Sequence, residues 1–143
     1  MSFVMHVRFS KWFLLSGFVC GMVLGCGSPN DGPKRYHISG KVTYDGKPIP
    51  KGKIYFEPDD SKGNSGPQAG ADIVDGEYET ANGKGVVGGP HLVKITGTDG
   101  VETQVEGEVL PDGKTLFPPY ETTFNFPKED GEHSFKVPKT TGQ

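Results

Sequence analysis

The sequence predicts an all-β fold, an antiparallel β-sandwich of about seven short strands. Three observations favour it. The 143 residues include 22 glycines and 12 prolines, while only 33% of residues are hydrophobic. Apolar side chains recur with a period of two, as in strands that bury one face. Turn-forming pairs return at intervals of about ten residues, a spacing typical of sandwiches. The same composition excludes a helical bundle and a multi-span membrane protein.

Residues 1–25 have the layout of a secretory signal peptide. Two cations, Arg8 and Lys11, precede an apolar run at 12–24, which is shorter than the roughly 20 residues that span a bilayer. The run ends in Val23-Leu24-Gly25-Cys26, which resembles the bacterial lipobox. The resemblance implies that Cys26 receives diacylglycerol, is further acylated with palmitate and becomes the mature N-terminus. An ordinary signal peptide with an incidental cysteine and an uncleaved anchor are the alternatives.

Cleavage before Cys26 determines the chemistry of the mature chain. Both cysteines, Cys20 and Cys26, lie at or before this position, so the predicted domain has no disulfide. The mature chain keeps 18 acidic and 13 basic residues, and its net charge is therefore −5. This charge disfavours nucleic acid and anionic lipid headgroups as partners. We expect the membrane to be bound through the acyl anchor, which contributes about 0.8 kcal/mol per buried methylene.

The mature chain divides into a tether, one domain and a tail. Residues 26–35 are rich in Gly, Ser, Pro and Asn, a composition typical of a flexible linker. Residues 36–138 carry the period-two pattern and form the predicted sandwich. Residues 139–143 are expected to be a disordered tail. A domain of this size buries something over about 60% of its unfolded surface, which allows a modest core.

The first predicted strand occupies 36–44 and is half buried. Its inward face carries Tyr36, Ile38, Val42 and Tyr44. Asp45-Gly46 predicts a tight turn, because glycine accepts a positive φ without strain. Prolines at 48 and 50 then delay the second strand to 53–56. Residues 58–67 predict a polar loop.

The second half of the domain repeats this pattern around Asp75-Gly76, the strongest hairpin signal in the chain. Residues 81–90 predict a glycine-rich loop, and the acidic stretch 99–114 predicts an excursion from the sandwich. The remaining strands are predicted at 69–74, 77–80, 91–96, 122–126 and 133–137. Their inward residues include Val93, Ile95, Phe135 and Val137.

Several of these motifs, in this order, resemble carboxypeptidase-regulatory-like (transthyretin-like) domains. They are Ile38–Pro50 with its G-x-V strand and D-G-x-P corner, Asp75-Gly76-Glu77-Tyr78, the Gly-Pro before His91–Ile95, and Leu116-Phe117-Pro118-Pro119-Tyr120. The resemblance covers residues 36–138. It implies an immunoglobulin-like sandwich that is usually non-catalytic and often appended to an enzyme or receptor. The zinc motif H-x-x-E of metallocarboxypeptidases is absent from the sequence. With the lipobox, the arrangement resembles small bacterial lipoproteins.

One glycine motif suggests dinucleotide binding. Gly83–Gly88 matches G-x-G-x-x-G, whose mechanism requires a helix that begins there and directs its amides at the pyrophosphate. Gly89-Pro90 and a β-branched segment follow instead. We therefore expect a flexible loop between strands, and no cofactor.

Two histidines are the candidate metal ligands. His91 and His133 each begin an inward alternation, which allows both to lie at the same end of the sandwich. A metal site would need at least one further ligand, and no carboxylate has ligand spacing. We expect imidazoles at the sandwich rim and no metal, and His37 on the polar face.

The loop 58–67 is the candidate calcium site, since oxygen ligands suit calcium. Its oxygen-bearing side chains are Asp59, Asp60, Ser61 and Asn64. The spacing departs from the known calcium loop, and Lys62 adds a positive charge. A solvated turn is the expectation, with a weak calcium site as the alternative.

Carboxylates and tyrosines complete the candidates. Glu102, Glu106 and Glu108 are interpreted as a solvated face rather than as the acid pair of a glycosidase. The five tyrosines are expected to close the rim of the core, whereas an exposed row of them would form a platform for sugar or protein. They are Tyr36, Tyr44, Tyr55, Tyr78 and Tyr120.

These features favour a non-enzymatic, lipid-anchored envelope protein, on the periplasmic or outer-membrane face, that serves as an adhesion, scaffold or assembly module. Its expected partners are the membrane and an envelope protein or polysaccharide. A carbohydrate- or calcium-binding accessory lipoprotein is the alternative, and an enzyme is the third hypothesis. An exposed edge strand or apolar patch would favour the module, and a concave pocket of Tyr and Asp would favour the binder.

Overall fold

The computed structural model describes residues 32–139 of the chain. Cys26 and the predicted leader lie outside the described residues, as does most of the predicted tether. Of the predicted tail only Lys139 is described, and its ammonium lies 3.4 Å from a carboxylate oxygen of Asp45.

The described part contains β-strands and a single 3-10 turn at Asp60–Lys62, with no α-helix. The strands are β1 Ile38–Tyr44, β2 Lys47–Pro48, β3 Lys51–Pro58, β4 Ala69–Val74, β5 Glu77–Glu79, β6 Gly89–Thr98, β7 Thr103–Val105, β8 Glu108–Leu110, β9 Tyr120–Phe126, β10 Gly131–Glu132 and β11 Phe135–Val137.

The main sheet curls around one core in the order β10-β1-β5-β4-β3-β6-β9. Neighbours are antiparallel from β1 to β9, whereas β10 and β11 both pair parallel with β1. The predicted all-β fold is confirmed, and the curled sheet is consistent with an immunoglobulin-like β-sandwich. Strand β1 changes its partners along its length. It pairs with β10 and β5 in its first part and with β11 and β2 in its last part.

The core follows the predicted alternation. Ile54 and Phe56 on β3 lie opposite Ile95 and Val93 on β6, and all four side chains are fully buried. Phe135 on β11 is buried against the ring of Phe56, whose centroid is 6.3 Å away. Further core residues are Ile38, Val42, Ile49, Ala69, Ile73, Tyr78, Val86, Phe117, Phe126 and Val137. Packing of this kind is the principal stabilising contribution in a domain without disulfides.

Both predicted aspartate-glycine turns are present. Asp45 and Asp75 have φ of 51° and 50°, and the glycines that follow them also have positive φ. This is the type I′ geometry that matches the twist of two paired strands. Gly76 has a second constraint, because a Cβ there would lie 2.5 Å from Cβ of Pro48.

Four strands were not predicted: β2, β7, β8 and β10. β7 and β8 form a separate two-stranded hairpin within the predicted excursion 99–114, joined by Glu106-Gly107 with φ of 51° and 87°. The hairpin lacks a buried face, so its residues show no apolar alternation. The sequence signal available for this hairpin was Gly107, which lies between two short segments with β propensity.

Candidate functional site

His91 and His133 lie together against Phe126, and His91 is buried rather than placed at the expected rim. Each imidazole packs edge-on against the ring of Phe126, with centroids 5.3 Å apart. His91 is 1% exposed, and its Nδ1 lies 2.9 Å from the carbonyl oxygen of Gly89. The Nε2 atoms of both rings are buried without a hydrogen-bond partner in the described structure.

Burial lowers the pKa of His91, although the Gly89 carbonyl acts in the opposite direction. A buried imidazole is costly to protonate without an acidic partner. No group of three or more His, Cys, Asp or Glu within residues 32–139 has the geometry to hold a metal ion. Both rings contribute aromatic packing against Phe126. His37 lies elsewhere, with Nε2 3.0 Å from Oε1 of Glu79.

The loop proposed for calcium is held by its own side chains. The carboxylate of Asp59 accepts a hydrogen bond from Ser61, and its second oxygen lies 3.2 Å from Nζ of Lys62. These contacts, the Ser61 bond first, lower the pKa of Asp59, while burial opposes them. The Asn64 amide nitrogen donates to the carbonyls of Gly88 and Pro90. The loop thus fastens the start of β6, and Lys62 supplies the positive charge that pairs with the carboxylate of Asp59.

The glycine-rich segment receives the base of the tether rather than a helix. Arg35, at the end of the predicted tether, donates from Nε to Gly85 and from Nη2 to Gln68 and Lys84, all at backbone carbonyls within 2.9 Å. A Cβ at Gly85 would lie 1.7 Å from the carbonyl oxygen of Tyr36. The chain is attached to the domain from Arg35 onward. Strand β6 follows the motif, so no helix N-terminus faces it.

The tyrosines do not form an exposed row within the described domain. Tyr78 is buried and its hydroxyl donates to the carbonyl of His133 at 2.6 Å, and burial raises the pKa of this phenol. Tyr36, Tyr44 and Tyr120 pack against the core from its rim. Tyr55 lies on the outward face of β3, since its neighbours in the strand face inward. Tyr36, Tyr44 and Tyr120 match the expected closure of the core rim, whereas Tyr55 and Tyr78 do not.

A shallow groove of about 660 Å³ crosses the outer surface of β4, β5 and β1. Its lining includes five carboxylates and one cation: Asp72, Asp75, Glu77, Glu79, Glu132 and Lys41. Lys53 lies 2.7 Å from Asp72, and His37 pairs with Glu79. Salt bridges between exposed side chains such as these contribute little to stability. The groove is polar and open, and its one aromatic ring, Tyr78, is turned into the core.

The hairpin of β7 and β8 projects from a tightly bonded base. Oδ1 of Asp99 accepts hydrogen bonds from the amides of Val101 and Lys114 at 3.1 and 3.0 Å. The amide of Gly100 donates to the carbonyl of Asp112, whose carboxylate lies 3.0 Å from Nζ of Lys51. The two ends of the excursion are thus joined to each other and to the main sheet, and the hairpin has a defined origin.

The hairpin concentrates exposed apolar surface. Val101, Val105 and Val109 are 64%, 42% and 54% exposed, and only Val74 and Leu92 are comparable among large apolar residues of the described part. Each of these valines has an exposed glutamate next to it in the sequence: Glu102, Glu106 or Glu108. The predicted solvated acidic face is therefore interleaved with valines. Sequence reasoning found the acids and missed the apolar residues between them.

No protein-family model, no curated protein and no solved structure matches the chain. Within residues 32–139 no helix has the length and apolar character required to cross a membrane.

Proposed function

We propose that the chain is a non-enzymatic, lipid-anchored envelope protein that serves as an adhesion, scaffold or assembly module. The resemblance to carboxypeptidase-regulatory-like domains and to the lipobox at Cys26 supports this proposal. The module would stand on the periplasmic or outer-membrane face of the envelope and bind another envelope component through its domain.

One observation carries the proposal: the exposed valines Val105 and Val109 lie on a hairpin that pairs with no other strand of the described structure, and exposed Val101 lies at its base. Exposed apolar side chains are unfavourable in water, and when clustered they mark surfaces that bind a partner. A separate two-stranded hairpin is also marginally stable alone. A partner that covered it would relieve both costs.

The test is cross-linking in the envelope with a photoreactive residue placed at Gln104. The chain that carries it is compared with a variant that carries it as well and in which Val101, Val105 and Val109 are replaced by threonine. Threonine keeps the β propensity and removes the apolar contact. The matched control is Val74→Thr, since Val74 is 56% exposed on the main sheet.

We expect one specific cross-linked product that the triple variant loses and the Val74→Thr control keeps. Absence of a product at the hairpin, or an equal product in the triple variant, would contradict the proposed assembly role. Melting temperatures of all variants should agree, because none of the substituted side chains is in the core.

A second candidate is a carbohydrate-binding accessory lipoprotein, for which the open polar groove on β4, β5 and β1 is the supporting observation. Carboxylates accept hydrogen bonds from sugar hydroxyls. Titration of the protein with envelope polysaccharide fragments should then shift the amide resonances of Glu77 and Glu79. If the resonances do not move at saturating sugar, this candidate is excluded. Calcium titration in parallel tests the loop at Asp59.

A further inference from the structure

We infer that the partner of the β7–β8 hairpin is a cationic, extended peptide segment that adds to the hairpin as a third β-strand. This inference rests on the proposed assembly function and specifies the chemistry of the partner. It is argued from the charge, the apolar side chains and the free strand edges of the hairpin.

The negative charge of the hairpin favours a partner with positive charge. No Lys or Arg occurs from residue 99 to residue 113, whereas Glu102, Glu106 and Glu108 all lie there. None of these glutamates forms an ion pair with another described residue. Unpaired carboxylates raise the local negative potential, which attracts a basic partner and repels an acidic one.

The same charge disfavours a second copy of this chain. Two hairpins in contact would bring six glutamates together, and like charges opposite each other destabilise paired strands. Anionic lipid headgroups are disfavoured for the same reason. Acids elsewhere on the hairpin base are already occupied, since Asp99 binds backbone amides and Asp112 pairs with Lys51.

The strand edges provide the mode of binding. β7 and β8 pair only with each other in the described structure, so each has one edge of unpaired amides and carbonyls. An extended segment satisfies such an edge by main-chain hydrogen bonds. Beside β8, its successive side chains would lie opposite Glu108, Val109 and Leu110, which alternate between the two faces of the hairpin. A segment that alternates apolar and basic residues is complementary to this pattern.

The binding experiment uses the full-length chain in detergent and a blocked peptide of about eight residues with alternating valine and lysine. Two further probes separate the contributions. One has glutamate in place of lysine, and the other has N-methyl groups on alternate backbone amides and so keeps its charge but cannot extend a sheet. Binding is measured by fluorescence anisotropy, and hydrogen exchange reports which amides become protected.

We expect binding of the lysine peptide to weaken about tenfold or more in the variant Glu102→Gln, Glu106→Gln, Glu108→Gln, and to weaken with added salt. The matched control, Glu77→Gln, Glu79→Gln, Glu132→Gln, removes three glutamates from the groove and should change affinity about twofold at most. The N-methylated and glutamate peptides should bind about tenfold less tightly or worse. Amides of β7 or β8 should gain protection.

Equal loss in the two triple variants would show general attraction to an acidic protein, and equal binding of the N-methylated peptide would rule out strand addition. Either result overturns the inference. If a cross-linked partner is still captured at the hairpin, the proposed assembly function survives that failure. If a hairpin cross-link forms only between copies of this chain, the inferred partner is wrong and the assembly role remains.

Discussion

At the scale of single residues, the fold depends on apolar side chains that are buried and on polar side chains that have hydrogen-bond partners. Val93 and Ile95 are enclosed between β3 and β9, and their alternation was readable from the sequence because burial on one face of a strand has a period of two. The contacts of Arg35 and of the His91–His133 pair could not be predicted from such an alternation. Their partners lie far along the chain, and no local pattern indicates them.

Val93→Ala is expected to lower the free energy of unfolding by about 1–3 kcal/mol, because it removes two buried methyl groups and leaves a cavity. Urea denaturation measures it. Val74→Ala is the control, since Val74 is 56% exposed and its truncation should cost about 0.5 kcal/mol or less. Equal effects at the two positions would mean that the inward face of β6 is wrongly assigned.

His91 makes the stability of the domain depend on pH. Its pKa in the folded protein lies below the ordinary value of 6.5, because the ring is buried. As the pH falls below 6.5, the unfolded chain therefore binds more protons than the folded protein does. The free energy of unfolding decreases from this pH down to the pKa of His91 in the folded protein. We expect a lower melting temperature at about pH 5 than at about pH 7.5.

The variant His91→Phe tests this assignment, because it keeps an aromatic ring against Phe126 and cannot be protonated. Its melting temperature should fall less than that of the parent chain over the same pH range. His37 and His133 are present in both proteins. Parallel curves would assign the acid sensitivity to other groups.

At the scale of elements, the two Asp-Gly turns and the bounds of β4 were predicted accurately. β4 runs from Ala69 to Val74 as predicted, and both Asp-Gly pairs form turns with positive φ. Other boundaries moved in both directions: β3, β6 and β9 each begin earlier than predicted, whereas β1 and β11 begin later. The reason is that backbone ladders continue for as long as a neighbouring strand is present, whatever the side chains.

Gly76→Val should be strongly destabilising, by about 2 kcal/mol or more, because it combines a left-handed φ with a contact against Pro48. Gly46→Val is the matched control, since Gly46 has a similar φ of 74° and open space around it. It should cost about 1–2 kcal/mol, from φ alone. Chemical denaturation compares the two, and a smaller loss at Gly76 would contradict the packing against Pro48.

At the scale of the whole molecule, the acidic side chains and the exposed valines of the domain lie outside the core. Arg35 joins the domain to the tether. The guanidinium binds three carbonyls in two loops, so the domain has a defined point of attachment. In the proposed lipoprotein this point lies nine residues from Cys26. A short link of that kind keeps the module within a few nanometres of the membrane.

Cys26→Ser is expected to release the protein from membranes, because a hydroxyl cannot accept the thioether-linked lipid. Fractionation of the envelope, together with palmitate labelling, measures the change. Cys20→Ser is the control and should leave both membrane attachment and labelling intact. Retention of the Cys26→Ser variant on membranes, or its continued labelling, would mean that the lipobox was misidentified.

The sequence by itself determined the all-β fold, the inward face of each main strand and the two aspartate-glycine turns, since all of these depend on neighbours one or two residues away. Only the tertiary structure decided which strands pair, that β10 and β11 join β1 in parallel, that two histidines share one phenylalanine, and that a valine-bearing hairpin stands apart from the sheet. Those features depend on backbone hydrogen bonds and contacts between distant segments, and backbone groups are the same for nearly every residue type.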